Sequence, residues 1–252
     1  MNKLLAYTAF FLALTTWWAC QKKIDNYAAP GDTITGSTLD EGTQATVQTE
    51  IGGSGTRVKL LETSYDSAPV PLYFQSMQDG TFNDDKIFGA TYKVTVEGPF
   101  VPLIVTDSVG NVVTDSSQTI TLKNTATLHF NVQPFLRVQL VGNPVINPDT
   151  TVSIQVMITR GTANPLYQLQ VTDINLYVSN TKYCANNNYD PRYSNLASYS
   201  DSTGTKLLGQ TITLTTTGGA LPAQDVYFRV GARINAGLDE YNYSLPVSIT
   251  YP

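Results

Sequence analysis

Residues able to do chemistry are sparse in this chain, which carries one His and two Cys in 252 residues. His129 lies in Thr127-Leu128-His129-Phe130, where strand alternation places it opposite Leu128 and Phe130. A lone imidazole makes neither a catalytic triad nor a His-rich zinc site. Asp84 and Asp85 are adjacent, so in an extended chain their carboxylates point apart, a poor pair for glycoside hydrolysis. Asp79, Asn83 and Asp85 could offer oxygens to Ca²⁺, but a calcium loop needs more acids and a bidentate Glu, so a turn is expected there. No Gly-rich phosphate loop precedes a helical pattern. The expectation is a protein without catalytic residues, metal or cofactor.

One segment, residues 179–202, concentrates groups suited to binding. It holds Asn180, Asn186, Asn187, Asn188 and Asn195, with Tyr183, Tyr189, Tyr193 and Tyr199, and Asp190 and Arg192 among them. Tyrosine faces beside amide and charged groups suit a neutral oligosaccharide: a flat apolar platform, with donors and acceptors for hydroxyls. The candidate contacts are Tyr183, Asn187, Asn188, Tyr189, Arg192 and Tyr193. The competing reading is a capping loop whose Asn side chains satisfy backbone groups while the tyrosines pack down. Both Trp residues lie in the N-terminal segment, which removes the strongest stacking side chain from the folded part.

Short β-patterned runs must position that segment. Hydrophobics make up 42% and charged residues only 14%, which excludes charge-driven disorder and a coiled coil. A net charge of −5 leaves no basic footprint for nucleic acid. Arg57–Leu61, Leu72–Gln75, Tyr92–Val96, Leu103–Thr106, Thr119–Leu122 and Thr127–Val132 read as strands, separated by Gly-rich or Asp-Gly turns. A second series follows: Leu136–Val141, Val152–Thr159, Asp173–Val178, Gln210–Thr215, Val226–Ile234 and Val247–Tyr251. The prediction is all-β, with two tandem β-sandwich domains, 32–133 and 134–252, joined at Pro134. Phe82, Ile87, Phe88 and Tyr92 are expected in the first core.

The first residues speak to compartment. Lys3, the apolar run Leu4–Trp18, and Ala19-Cys20 followed by Gln21-Lys22-Lys23 read as a signal peptide, residues 1–19. The cysteine ending the run resembles a bacterial lipobox, which makes Cys20 the acylated residue and 20–31 a tether. Loss of Lys3 takes the net charge from −5 to −6. It also leaves Cys184 without a disulfide partner, expected as a buried small hydrophobe.

Two further stretches carry a resemblance. Asp79–Asn83 with Lys86–Tyr92 and Val96–Pro102, and Arg160–Asn164 with Tyr177–Tyr183 and Tyr189–Tyr193, resemble a Bacteroidetes two-domain outer-membrane lipoprotein family of uncharacterised function. The resemblance implies a transthyretin-like (carboxypeptidase-regulatory-like) first domain and a fibronectin type III-like second. It also implies an association with starch-utilisation-type glycan uptake systems, and no established catalytic residues. Asp-Ser/Thr pairs at Thr33, Ser67, Ser108, Thr150 and Ser202 resemble the O-glycosylation acceptor motif of Bacteroidetes exported proteins. As plain turn dipeptides they would equally lie in exposed loops.

The expected protein is a non-catalytic lipoprotein of the outer membrane, held through its lipid only. Its expected partners are an oligosaccharide and an outer-membrane uptake receptor complex. A surface protein binding another protein is the alternative, and a hydrolase comes third.

Overall fold

The computed structural model describes residues 29–65 and 68–252. Nine strands build the first unit: β1 (Asp32–Asp40), β2 (Arg57–Glu62), β3 (Leu72–Gln75), β4 (Thr81–Ile87), β5 (Thr91–Glu97), β6 (Ile104–Thr106), β7 (Val112–Asp115), β8 (Gln118–Thr121) and β9 (Thr125–Val132). Sheet β4-β1-β9 faces sheet β3-β2-β5-β8, while β6 and β7 pair only with each other. Alternation decides which side chains meet. Val58 and Leu60, Tyr92, Val94 and Val96, and Leu128, Phe130 and Val132 all point into one core with Phe82. The predicted orientation of His129 holds: its neighbours are buried, and its Nδ1 lies 2.8 Å from Ser37 Oγ.

One core expectation fails. Phe88 is 53% exposed, because β4 ends at Ile87 and the chain turns outward before β5. The carbonyl of Phe88 instead accepts the hydroxyl of Tyr92 at 2.9 Å. Asp79 forms a turn, its Oδ1 accepting the backbone N–H and hydroxyl of Thr81.

Eight strands follow: β10 (Leu136–Ile146), β11 (Val152–Arg160), β12 (Val171–Ser179), β13 (Asn195–Ser198), β14 (Thr211–Thr215), β15 (Asp225–Ile234), β16 (Asn242–Tyr243) and β17 (Val247–Thr250). They form sheet β10-β11-β14 and a five-stranded sheet in which β15 pairs with β12, β16 and β17, and β13 pairs with β12. Their inward residues, among them Ile154, Val156, Ile174, Leu176, Phe228 and Val230, make a second core. The fold is all-β in two sandwiches.

Only residues 133–135 separate β9 from β10, and the units meet along a polar seam. The outward face of β15 carries Arg229 beside Gly231. A Cβ at Gly231 would stand 2.8 Å from Tyr243 Cε1 and 2.9 Å from Tyr177 Cε2, so glycine is what lets both rings close over the strand. Arg229 is 0% exposed. It donates to the carbonyls of Ser244 (2.9 Å), Thr49 (2.7 Å) and Gln78 (3.3 Å), the last two in the first unit. Its guanidinium lies 4.4 Å from the Tyr243 ring centroid, and the Tyr243 hydroxyl donates to Glu50 at 2.7 Å. Arg137 of β10 grips Asp40 of β1, and Asn242 donates to the carbonyl of Pro99.

Candidate functional site

The segment after β12 divides into two parts. The first turns back over the outer face of the sheet. Cys184 and Ala185 are buried there with Tyr177, Tyr241 and Tyr243 in a third apolar cluster. Burial pushes the Cys184 thiol up to about 12, so it holds its proton and is no nucleophile near neutral pH. Asn187 donates its side-chain amide to the carbonyl of Ile51, tying this part to the first unit. Asn188 donates to Thr181 Oγ1 (3.1 Å) and to the carbonyl of Tyr183 (2.9 Å), which closes the loop on itself. The backbone N–H groups of Ala185 and Asn188 also exchange hydrogen bonds with each other's carbonyls.

The second part, from Tyr189 to Tyr193, forms one wall of a groove of about 440 Å³. The Tyr189 ring is seated 5.4 Å from that of Tyr177, and Tyr193 packs against the second core. Both rings are therefore held at fixed angles. Asp190 accepts from Arg192 Nη2 at 2.7 Å, a bond that holds the Asp190 carboxyl below its usual range. The Arg192 side chain remains 70% exposed, with its guanidinium 5.1 Å from the Tyr193 ring centroid. Asn180 stands on the β12 side, and Leu221, Pro222 and Gln224 close the opposite wall. The groove thus sets two anchored rings beside amides, one carboxylate and one guanidinium.

The structure brings together Asn188, Tyr189, Arg192 and Tyr193 of the six candidate contacts, and leaves two elsewhere. Asn187 is used in the seam. Tyr183, 39% exposed, does not line the groove, and its ring lies beside Lys182 Nζ at 5.1 Å. Leu221, Pro222 and Gln224 escaped the sequence reading, because only the packing of the segment before β15 against Tyr193 brings them near. The Gly218-Gly219 pair was their one local signal: at Gly218, with φ +78°, a Cβ would stand 2.2 Å from the carbonyl oxygen of Arg192.

Cys20 and Ser67 lie outside the described residues. Ser108, Thr150 and Ser202 are exposed, whereas Thr33 is half-buried inside β1 rather than in a loop. The strand begins at Asp32, and the Thr33 backbone N–H donates to the carbonyl of Asn124. Among the described residues no group of three or more His, Cys, Asp or Glu is placed to hold a metal ion.

Comparisons with known proteins give the lineage. Residues 32–133 match the family described as "Protein of unknown function (DUF3823) N-terminal domain", and residues 139–248 match "Domain of unknown function (DUF3823_C)". A crystal structure of a DUF3823 family protein from Bacteroides uniformis is 33% identical, with TM-score 0.82, and covers 88% of this chain and all of its own. A Bacteroides uniformis "putative carbohydrate binding protein" has the same fold at 22% identity and TM-score 0.66, covering 88% of this chain and 99% of its own. A DUF3823 protein from Parabacteroides merdae follows at 20% identity and TM-score 0.64, covering 88% and 100%. The comparison with curated proteins gives no match. With both domains matched in order, and a relative one-third identical over its whole length, the chain belongs to the two-domain DUF3823 family, whose function is uncharacterised.

Proposed function

We propose that this chain is a non-catalytic accessory protein of the cell envelope, lipid-anchored through Cys20, that binds a neutral oligosaccharide in the groove between Tyr189–Tyr193 and Leu221–Gln224. The observation carrying this reading is the convergence of Tyr189, Tyr193, Asn180, Asn188, Gln224 and the Asp190–Arg192 pair on one groove. Tyrosine rings and prolines cover sugar C–H faces, while the amides and the ion pair supply donors and acceptors without a dominant charge. Support from the relatives is coarser: one protein of the same fold is named for carbohydrate binding.

The test is a glycan array followed by calorimetry on the full chain in detergent. A neutral oligosaccharide should bind, and Arg192→Ala should weaken it roughly tenfold with the melting temperature unchanged. Failure of every neutral glycan to bind, or parent-level affinity in both Arg192→Ala and Gln224→Ala, overturns the groove as the saccharide site.

Anchoring is tested separately. Cys20→Ala should move the protein to the soluble fraction of the native host, since one acylated residue is the proposed attachment. Retention of that variant on membranes after a high-salt wash would reject the lipoprotein reading.

A further inference from the structure

We propose a second, independent ligand site at the junction of the two domains: a groove of about 500 Å³ that takes a carboxylate-bearing saccharide of the uronic-acid type. Its floor is the outward face of β2 and β5 and its far wall is the Gly237–Leu238 turn of the second domain, a position between domains that ligand sites favour. The register of β2 on β5 sets Arg57 beside Glu97 and Lys59 beside Thr95, so both cations stand on the same face. Arg57 Nη2 lies 2.6 Å from Glu97 and Lys59 Nζ lies 3.3 Å from the same carboxylate. Two cations thus share one anion in a protein that is acidic overall.

A ligand carboxylate completes this set, since a guanidinium binds carboxylates through its planar fork and the ammonium adds a second charge. Glu97 then requires that the ligand carry hydrogen-bond donors next to its own acid group. Ring hydroxyls adjacent to a carboxylate meet that requirement, and a run of acidic peptide side chains does not. The remaining walls are apolar: Pro102 and Ile104 from the first domain and Leu238, 53% exposed, from the second. They suit the C–H faces of a pyranose.

Glu240, three residues along from the Gly237 turn, does not cancel the surplus positive charge. It is buried, its Oε2 has no hydrogen-bond partner, and burial pushes its carboxyl up to about 8, so it is largely neutral at pH 7.

Calorimetry on the full chain in detergent should use trigalacturonic acid, the neutral galactotriose and a poly-glutamate peptide of equal charge as probes. The expected result is saturable binding of trigalacturonic acid, weakened by salt, with little for the other two. Arg57→Gln and Lys59→Ala should each lower that affinity about tenfold. Leu238→Glu, which leaves the ion cluster untouched and sets a negative charge on the rim, should abolish it. Arg192→Ala, in the first groove, should leave it unchanged, so the two sites fail separately. The proposal is overturned by absence of trigalacturonate binding at millimolar concentration, by unchanged affinity in both Lys59→Ala and Leu238→Glu, or by equal binding of the peptide.

Discussion

Arg229 and Arg192 make the same local contact in two different regions. Each lies over a tyrosine ring of the second domain, at 4.4 Å and 5.1 Å from the centroid. At the seam, Arg229 has no contact with water and spends its donors on carbonyls of both domains. Burial lowers its guanidinium to about 10, which still leaves it charged near neutral pH. At the groove rim, Arg192 keeps most of its side chain in water and holds a single neighbouring carboxylate. Solvent therefore decides the role: the desolvated cation fixes how two sandwiches sit together, and the hydrated one is free to meet a ligand.

Removing Arg229 should have the largest effect. Arg229→Met leaves the carbonyls of Thr49 and Ser244 without that donor and loosens Tyr243, so stability should fall by about 3–5 kcal/mol in urea unfolding. A loss below about 1 kcal/mol would mean that the seam does not hold the domains.

Tyr193→Ala should come next, at about 3 kcal/mol, because its ring fills space against the second core. This variant also sharpens the reading of the groove. If its folded fraction binds the neutral glycan as tightly as the parent, the ring is structural only.

A smaller effect is expected from acid–base linkage at the seam. Glu240 holds its proton up to about 8 in the folded chain against an ordinary 4.5, and burial raises Glu50 as well. Between those values the folded state binds a proton that the unfolded chain has lost. This contribution to stability is therefore complete below about pH 4.5 and declines as pH rises toward 8. Glu240→Gln should be more stable than the parent by about 2 kcal/mol at pH 6 and nearly equal to it at pH 4.5, measured by urea unfolding at both.

The smallest change in stability is expected at the groove rim. Arg192→Ala should alter the unfolding free energy by less than about 0.5 kcal/mol, since its ion pair is exposed. A shift comparable with that of Arg229→Met would erase the contrast between the two arginines.

Periodicity made the cores readable. Tyr92-Lys93-Val94-Thr95-Val96 and Ile154-Gln155-Val156-Met157-Ile158 point their alternate residues inward as their patterns require. The same rule misreads β12. Val171-Thr-Asp-Ile-Asn-Leu-Tyr-Val-Ser179 alternates like a half-exposed strand, yet Asp173, Asn175, Tyr177 and Ser179 are buried too. Asn175 donates to the hydroxyl of Tyr177 on its own strand and, at long range, to that of Tyr241, and it accepts from the N–H of Ala197. Burial alone would raise Asp173, but hydrogen bonds from Arg233 and Ser198 hold it below the usual carboxylate range.

A polar side chain paired in this way looks, in one dimension, the same as one facing water. For that reason the seam and the role of Asn187 were not legible. Gly231, in mid-strand beside Arg229, was the one local trace of close packing. Half of the groove was legible because Asn188 to Tyr193 are contiguous, while the other wall arrives from residues 221–224. The parallel pairing of β1 with β9 was equally hidden, since strands so far apart share no turn.

That parallel pairing also determines the direction in which the molecule points. Thr33 lies against Thr125, and Asp40 against Val132 at the seam, so the chain enters at the pole remote from the second domain. The paired length, at about 3.3 Å per residue, makes the first domain a spacer of roughly 25 Å. Under the proposed acylation of Cys20, the twelve residues 20–31 could span at most about 40 Å. On the proposed anchoring, the first sandwich would serve as a mast and the second as its masthead, with the proposed saccharide groove carried clear of the headgroups.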